Sequence, residues 1–244
     1  MTADDKSKGQ GHAAPGAAGA PFPMPDEDYE LAIRSVRLRE AEGGYEAVIG
    51  TSRGELPSRF LVAEGQPGAA VFLSGALGGT LGPARGLWPE LGEALVALGV
   101  SAFIIGYRCP GEFAECVLDA LTAVSFLRAV GARRIALVGH SFGGAVAIKA
   151  GVLQPAVAAV AALSSQMYGT SEVAELAPRP LLLVHGTEDA VIEHVASEMV
   201  YALAREPKRL VLLPAAGHSL ESSREELRDL LRGWLVEQLV TPRA

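Results

Sequence analysis

The sequence predicts a single α/β domain with a mostly parallel sheet and helices on both faces. Three observations carry that prediction. Strand-like and helix-like stretches alternate from about residue 30 onward, the pattern of strand–helix–strand units. Runs such as Ala69-Ala70-Val71-Phe72-Leu73 are apolar at every position, which marks strands buried on both faces. Hydrophobic residues make up 49% of the 244 and charged residues 20%, ample material for one core. No internal repeat or second composition regime follows residue 30.

The elements follow in order. Met1 to Asp28 contains no Val, Ile or Leu and is rich in Ala, Gly, Pro and Asp, so residues 1–28 are expected to form a flexible tail and residues 29–244 the domain. That stretch lacks the apolar core of a secretory signal and carries Asp4 and Asp5. Residues 31–64 read as short antiparallel strands punctuated at Gly43-Gly44 and Arg53-Gly54. The buried strand 69–73 follows, then a helix over 86–98 with Leu87, Leu91, Leu95 and Leu98 on one face. Val100 to Ile105 is a second buried strand, and Phe113, Val117, Leu121, Val124 and Leu127 mark a second helix. A third strand, Arg134 to Val138, leads into a small-residue helix from Phe142 to about Leu153. Strands at 156–163, 181–184 and 210–213 complete the sheet, with a helix between the last two that carries Val191, Val195, Met199 and Leu203. The final helix opens with Ser222-Ser223-Arg224-Glu225-Glu226, two overlapping capping-box patterns, and buries Leu227, Leu230, Leu231, Trp234 and Leu235.

Charge and cysteine content narrow the function classes. Acidic residues outnumber basic ones by 28 to 21, for a net charge of −7, and phosphate backbones need a concentrated basic surface, so nucleic acid is not an expected partner. Cys109 and Cys116 make neither a disulfide framework nor a zinc spacing, and no H-E-x-x-H is present, so no metal is expected. The longest apolar run, Ala94 to Gly106, is too short to span a bilayer. A soluble, cytoplasmic protein without membrane contact is the expectation.

The chemistry-bearing residues sit just past strand ends. After strand 134–138 comes Gly139-His140-Ser141-Phe142-Gly143-Gly144, a G-x-S-x-G pattern between a strand and a helix. Such a turn strains the serine backbone, lifts the hydroxyl above the sheet and places it at a helix N-terminus, where free N–H groups favour developing negative charge. A serine hydroxyl needs a base, and the base an orienting acid. Strand 181–184 runs into His185-Gly186-Thr187-Glu188-Asp189, and strand 210–213 into Pro214-Ala215-Ala216-Gly217-His218-Ser219. In a parallel sheet these loops share one edge, where ligands bind, so Ser141, Asp189 and His218 can converge. Glu188 rivals Asp189 as the acid, and the loop's position favours Asp189. His140 is expected to pack under the turn, His185 to hydrogen-bond within its own turn, and His194 to face solvent from a helix.

These three motifs together resemble the α/β-hydrolase superfamily, over residues from about 45 to 240. The resemblance implies Asp189 as the acid of an H-G-x-x-D loop and His218 as the base of a G-H loop. It implies an oxyanion hole from the backbone N–H of Phe142 and a donor in Ser74-Gly75-Ala76-Leu77, Ala76 before Leu77. That loop departs from the superfamily, which commonly has His-Gly where this chain has Ser74-Gly75. Many relatives insert a helical cap before the acid-bearing strand, but Leu163 and Leu181 are only 18 positions apart here. The proportions look like compact dienelactone-hydrolase-type and small-esterase branches, although dienelactone hydrolases have cysteine at the position of Ser141. An uncapped site walled by Leu77, Tyr107, Met167, Tyr168, Val191 and Leu220 is expected. The activity implied is cleavage of a small-molecule ester through an acyl-enzyme, with no cofactor. A thioesterase or peptidase would use the same triad, and a non-catalytic binding protein of this fold is the alternative of another class. No G-x-G-x-x-G follows an early strand, which disfavours a dinucleotide-dependent oxidoreductase.

Overall fold

Alternation of small and large apolar residues along one strand sets the layers of this molecule. In β4 (Gly68–Leu73), Ala69, Val71 and Leu73 enter the core on one face of the sheet, while Ala70 and Phe72 enter the core on the other. All six residues of β4 are buried, as are all six of β5 (Val100–Ile105). The structure, a computed structural model, describes residues 30–240; the stretch expected as a tail, 1–28, lies outside them, as do the last four residues of the expected domain.

Among the described residues nine strands form one sheet, in the order β1-β2-β3-β5-β4-β6-β7-β8-β9. β1 (Ile33–Ala41), β2 (Gly44–Thr51) and β3 (Gly54–Leu61) are an antiparallel meander, joined antiparallel to β5. From β5 onward every pairing is parallel, through β4, β6 (Arg134–His140), β7 (Val157–Leu163), β8 (Leu181–Gly186) and β9 (Lys208–Leu213). Helices α2 (Phe113–Ala129), α3 (Phe142–Leu153) and α4 (Val195–Leu203) contribute to the core on one face, where Phe60, Phe103 and Phe126 meet with ring centroids 5.3–5.6 Å apart. Helices α1 (Pro83–Val96) and α5 (Arg224–Leu239) cover the other, with Trp88 tilted against Phe72. Each such fully buried large apolar side chain contributes about 1.5–3 kcal/mol. Between β7 and β8 lies one 3₁₀ turn, Val173–Leu176, and among the described residues no cap domain stands over the sheet edge. Among the described residues no helix is long and apolar enough to cross a membrane.

Three helical expectations need correction. Leu87, Leu91 and Leu95 are fully buried, but Leu98 lies past the end of α1 and is exposed, because the chain turns through Leu98 and Gly99 to enter β5. The first turn of α1 is also irregular, with Ala84, Arg85 and Gly86 at positive φ. The apolar face expected from Val191, Val195, Met199 and Leu203 points outward: Val191 precedes the helix, and all four are exposed. α4 instead turns Ser197 and Val200 inward, with Ala204 buried just past its end: Val200 and Ala204 join the apolar core, and the Ser197 hydroxyl has a buried partner in His185. Neither capping box forms at α5. Ser223 stands at its N-cap without a side-chain bond, and the Ser222 hydroxyl donates to the Ala215 carbonyl across the loop.

Candidate active site

The turn after β6 is built around close backbone contacts. Ser141 sits between the last residue of β6 and the first of α3 at φ 58°, ψ −122°, a conformation that non-glycine residues hold only under constraint. Its N–H donates to the Leu163 carbonyl at 2.8 Å, tying the turn to β7. A Cβ on Gly139 would lie 1.9 Å from the Gly143 carbonyl oxygen, and one on Gly143 would lie 2.3 Å from the Ser74 oxygen and 2.6 Å from that of Leu73. Only hydrogen fits at either position. The same contact at Gly143 brings α3 against the end of β4, beside the loop that begins at Ser74.

The three residues expected to converge do so. His218 Nε2 lies 2.9 Å from Ser141 Oγ, and His218 Nδ1 lies 2.8 Å from Asp189 Oδ2. Asp189 is buried in the loop after β8, while Glu188 points to solvent, which separates the two rival acids by position. Asp189 Oδ1 accepts the backbone N–H groups of Val191 and Ile192, each at 2.9 Å. Burial alone would raise the Asp189 pKa. The N–H of Ile192, the His218 ring and the N–H of Val191 together outweigh it and hold the carboxyl below its ordinary range. A hydroxyl bonded to an imidazole that is bonded to a carboxylate can pass its proton to the ring while the carboxylate stabilises the resulting cation.

Two histidines do more than the sequence indicates. His140 donates from Nε2 to the His218 carbonyl at 2.8 Å, and their rings lie 5.0 Å apart. Burial pushes the His140 pKa down to about 4, so this ring is neutral at pH 7. His185, fully buried at the end of β8, bonds within its own turn to Asp189 Oδ2 at 3.1 Å, as expected, and also reaches past it to Ile192 O at 2.9 Å and Ser197 Oγ at 2.7 Å. The strand-end position of His185 was visible in the sequence; its bond to Ser197 depends on how α4 folds back. His194 lies partly exposed at the start of α4, 3.9 Å from Glu198.

The loop expected to supply a backbone donor passes close to the serine at Gly75. A Cβ on Gly75 would stand 3.8 Å from Ser141 Cβ, so this backbone passes beside the hydroxyl. Ala76 and Leu77 occupy the exposed turn closed by Gly78 N–H to Gly75 O at 2.9 Å, and Phe142 opens α3. Of the expected walls, Leu77, Met167, Tyr168 and Val191 are exposed in loops at the same edge. Tyr107 and Leu220 are not walls. Tyr107 is buried, packs edge-on to Phe142 and donates its hydroxyl to the Ser74 carbonyl at 3.3 Å; Leu220 is fully buried in the core under α1 and α5. Both are drawn inward because apolar neighbours lie beneath their loops. Among the described residues no group of three or more His, Cys, Asp or Glu side chains is placed to hold a metal ion.

Comparison with known proteins places the chain among hydrolases of this fold. Residues 114–231 match the family model described as phospholipase/carboxylesterase. The uncharacterized protein YfhR of Escherichia coli is 29% identical over 195 residues, 67% of this chain and 68% of that one. An uncharacterized protein of Mycobacterium tuberculosis is 31% identical over 191 residues, 64% of this chain and 67% of its own length. Among solved structures, a dienelactone hydrolase from Anabaena variabilis superposes with a TM-score of 0.71 at 18% identity, covering 84% of this chain and 100% of that one. Est1E from Butyrivibrio proteoclasticus superposes with a TM-score of 0.66 at 14% identity, over 84% and 99%. At these identities the two structures speak for the fold.

Proposed function

Because the chain belongs to the α/β-hydrolase superfamily, we propose that it is a serine hydrolase that cleaves small carboxylic esters through an acyl-enzyme intermediate. The observation that carries the reading is the unbroken hydrogen-bonded series Ser141–His218–Asp189, with links of 2.9 and 2.8 Å, at the carboxyl edge of a parallel sheet. Ser141 Oγ attacks the ester carbonyl carbon as His218 Nε2 takes its proton. Asp189 holds the ring in the tautomer with hydrogen on Nδ1 and stabilises the imidazolium. The tetrahedral oxyanion accepts the backbone N–H of Phe142 and of Ala76, with Leu77 the next donor in the loop. His218 returns the proton to the leaving alcohol, and water, activated by the same ring, releases the acid. No cofactor enters this scheme. The partner is a small-molecule ester, with neither nucleic acid nor membrane involved, and the site of action is the cytoplasm.

The test is turnover of an activated short-chain ester together with mass spectrometry after a serine-directed organophosphonate. The label is expected on Ser141, with loss of turnover, and Ser141→Ala should fold normally and be inactive. Asp189→Asn should lower kcat by orders of magnitude, about 10⁴ in the analogous triad, while Glu188→Gln stays within about twofold. A label elsewhere, or an active Ser141→Ala, would overturn the mechanism; a reversed ranking of the two acids would move the role to Glu188.

A further inference from the structure

Two imidazoles share one oxygen of the acid. Asp189 Oδ2 lies 2.8 Å from His218 Nδ1 and 3.1 Å from His185 Nε2, while Oδ1 takes the two backbone amides. The tautomer of His185 follows from its neighbours. Nε2 faces only acceptors, the Asp189 carboxylate and the Ile192 carbonyl at 2.9 Å, so it carries the hydrogen. Nδ1 then accepts from the hydroxyl of Ser197, 2.7 Å away and fully buried on α4. Burial disfavours the charged form of His185 and so favours the neutral ring with its hydrogen on Nε2.

We propose that His185 is a positioning residue for the reaction: held by Ser197, it donates to Asp189 Oδ2, fixes the angle of the carboxylate toward His218 and tempers the pull of that oxygen on the His218 proton. The proposal rests on the reading of Ser141, His218 and Asp189 as the reacting triad. A carboxylate with two donors on each oxygen cannot turn about its terminal bond without breaking several of them. His185 is the donor that competes with His218 for the same oxygen, so it acts on the base as the amides on Oδ1 do not. It also links the triad to α4, because its Nδ1 partner, Ser197, stands on the inward face of that helix. The titratable groups facing His218 are Asp189, His185, and His140, whose ring lies 5.0 Å away and which titrates near pH 4.

Removing the His185 N–H leaves Oδ2 to His218 alone. The imidazolium is then better stabilised, and the acidic limb of kcat/KM moves to higher pH; the carboxylate is also less firmly aimed, and kcat falls. For His185→Leu the expected result is a kcat lower by about 10–100-fold, as for other residues supporting a reacting group, with KM within about twofold. The acidic limb should shift upward by about half a unit or more. His185→Gln, which can place an amide donor near the position of Nε2, should recover most of kcat and return the limb. Ser197→Ala should move both quantities in the same direction by less, and it carries the test alone if His185→Leu does not fold. The low-field proton NMR signal of His218 Nδ1–H, recorded in a Ser141→Ala background, should shift on loss of His185. An unmoved limb and an unmoved low-field signal in folded variants would overturn the proposal while leaving the triad standing. Absence of Ser141-dependent turnover in the unaltered protein would instead remove the reading beneath it.

Discussion

His140 shows how a single side chain links the site to the stability of the fold. Its pKa falls from 6.5 to about 4 because the ring is enclosed under the turn, where only the neutral form is tolerated. The unfolded chain takes up this proton below about pH 6.5 and the native protein only near pH 4. A depressed pKa of this kind contributes stability that is present above the unfolded value and is lost as pH falls through the folded one. The window from pH 6.5 to 4 should therefore cost on the order of 3 kcal/mol through this residue. His140→Gln keeps a donor for the His218 carbonyl but cannot titrate. The stability advantage of the unaltered protein over His140→Gln, measured by urea unfolding, should shrink by that amount between pH 7 and 4. Parallel curves would show that the ring accepts its proton in place.

Elements differ in how tightly their glycines are held, and two in helices make opposite predictions. Gly143 lies in α3 with the Ser74 and Leu73 carbonyls where its Cβ would be, so Gly143→Ala must push the helix off β4. It should destabilise by about 1–3 kcal/mol, the range for overpacking, and disarm the serine with it. Gly233 lies on α5 with nothing within 4 Å of its missing Cβ, so Gly233→Ala should stabilise by roughly 0.5–1 kcal/mol and leave turnover unchanged. Thermal melting of the two variants checks both. The same contrast explains what the sequence disclosed. The strand-to-helix turn at Gly139–Gly144, the three strand-end loops and the absence of a cap are local patterns, and each was legible. The inward face of α4 was not: Val191, Val195, Met199 and Leu203 form as good a stripe on paper as Ser197, Val200 and Ala204. A buried hydroxyl paired with His185 decides between them only in three dimensions. The same holds for Tyr107, whose hydroxyl finds the Ser74 carbonyl 33 residues away along the chain. The capping boxes failed for a related reason, since Ser222 found a partner in Ala215 across the loop.

At the scale of the whole molecule, the site is a shelf at the sheet edge. Only the 3₁₀ turn at Val173–Leu176 separates β7 from β8, and Leu77 is 98% exposed and Val191 72%. A long acyl chain would remain largely in water, forfeiting about 0.8 kcal/mol for each CH₂ not buried. Across a series of activated esters, kcat/KM should level off or fall beyond short acyl lengths; a steady rise to long chains would mean that a wall forms around the bound chain. The sheet order has a further consequence, for synthesis. β4 has neighbours on both sides, β5 and β6, and β6, ending at His140, is completed 67 residues after β4 ends at Leu73. At a translation rate of about 5–20 residues per second, roughly 3–13 s pass before the ribosome has made the second partner. Through that interval one edge of Gly68–Leu73, a strand without a polar side chain, has no mate. The nascent chain should therefore be most prone to misassociate, and most in need of a holding chaperone, from the moment β4 emerges until the serine-bearing turn follows it out.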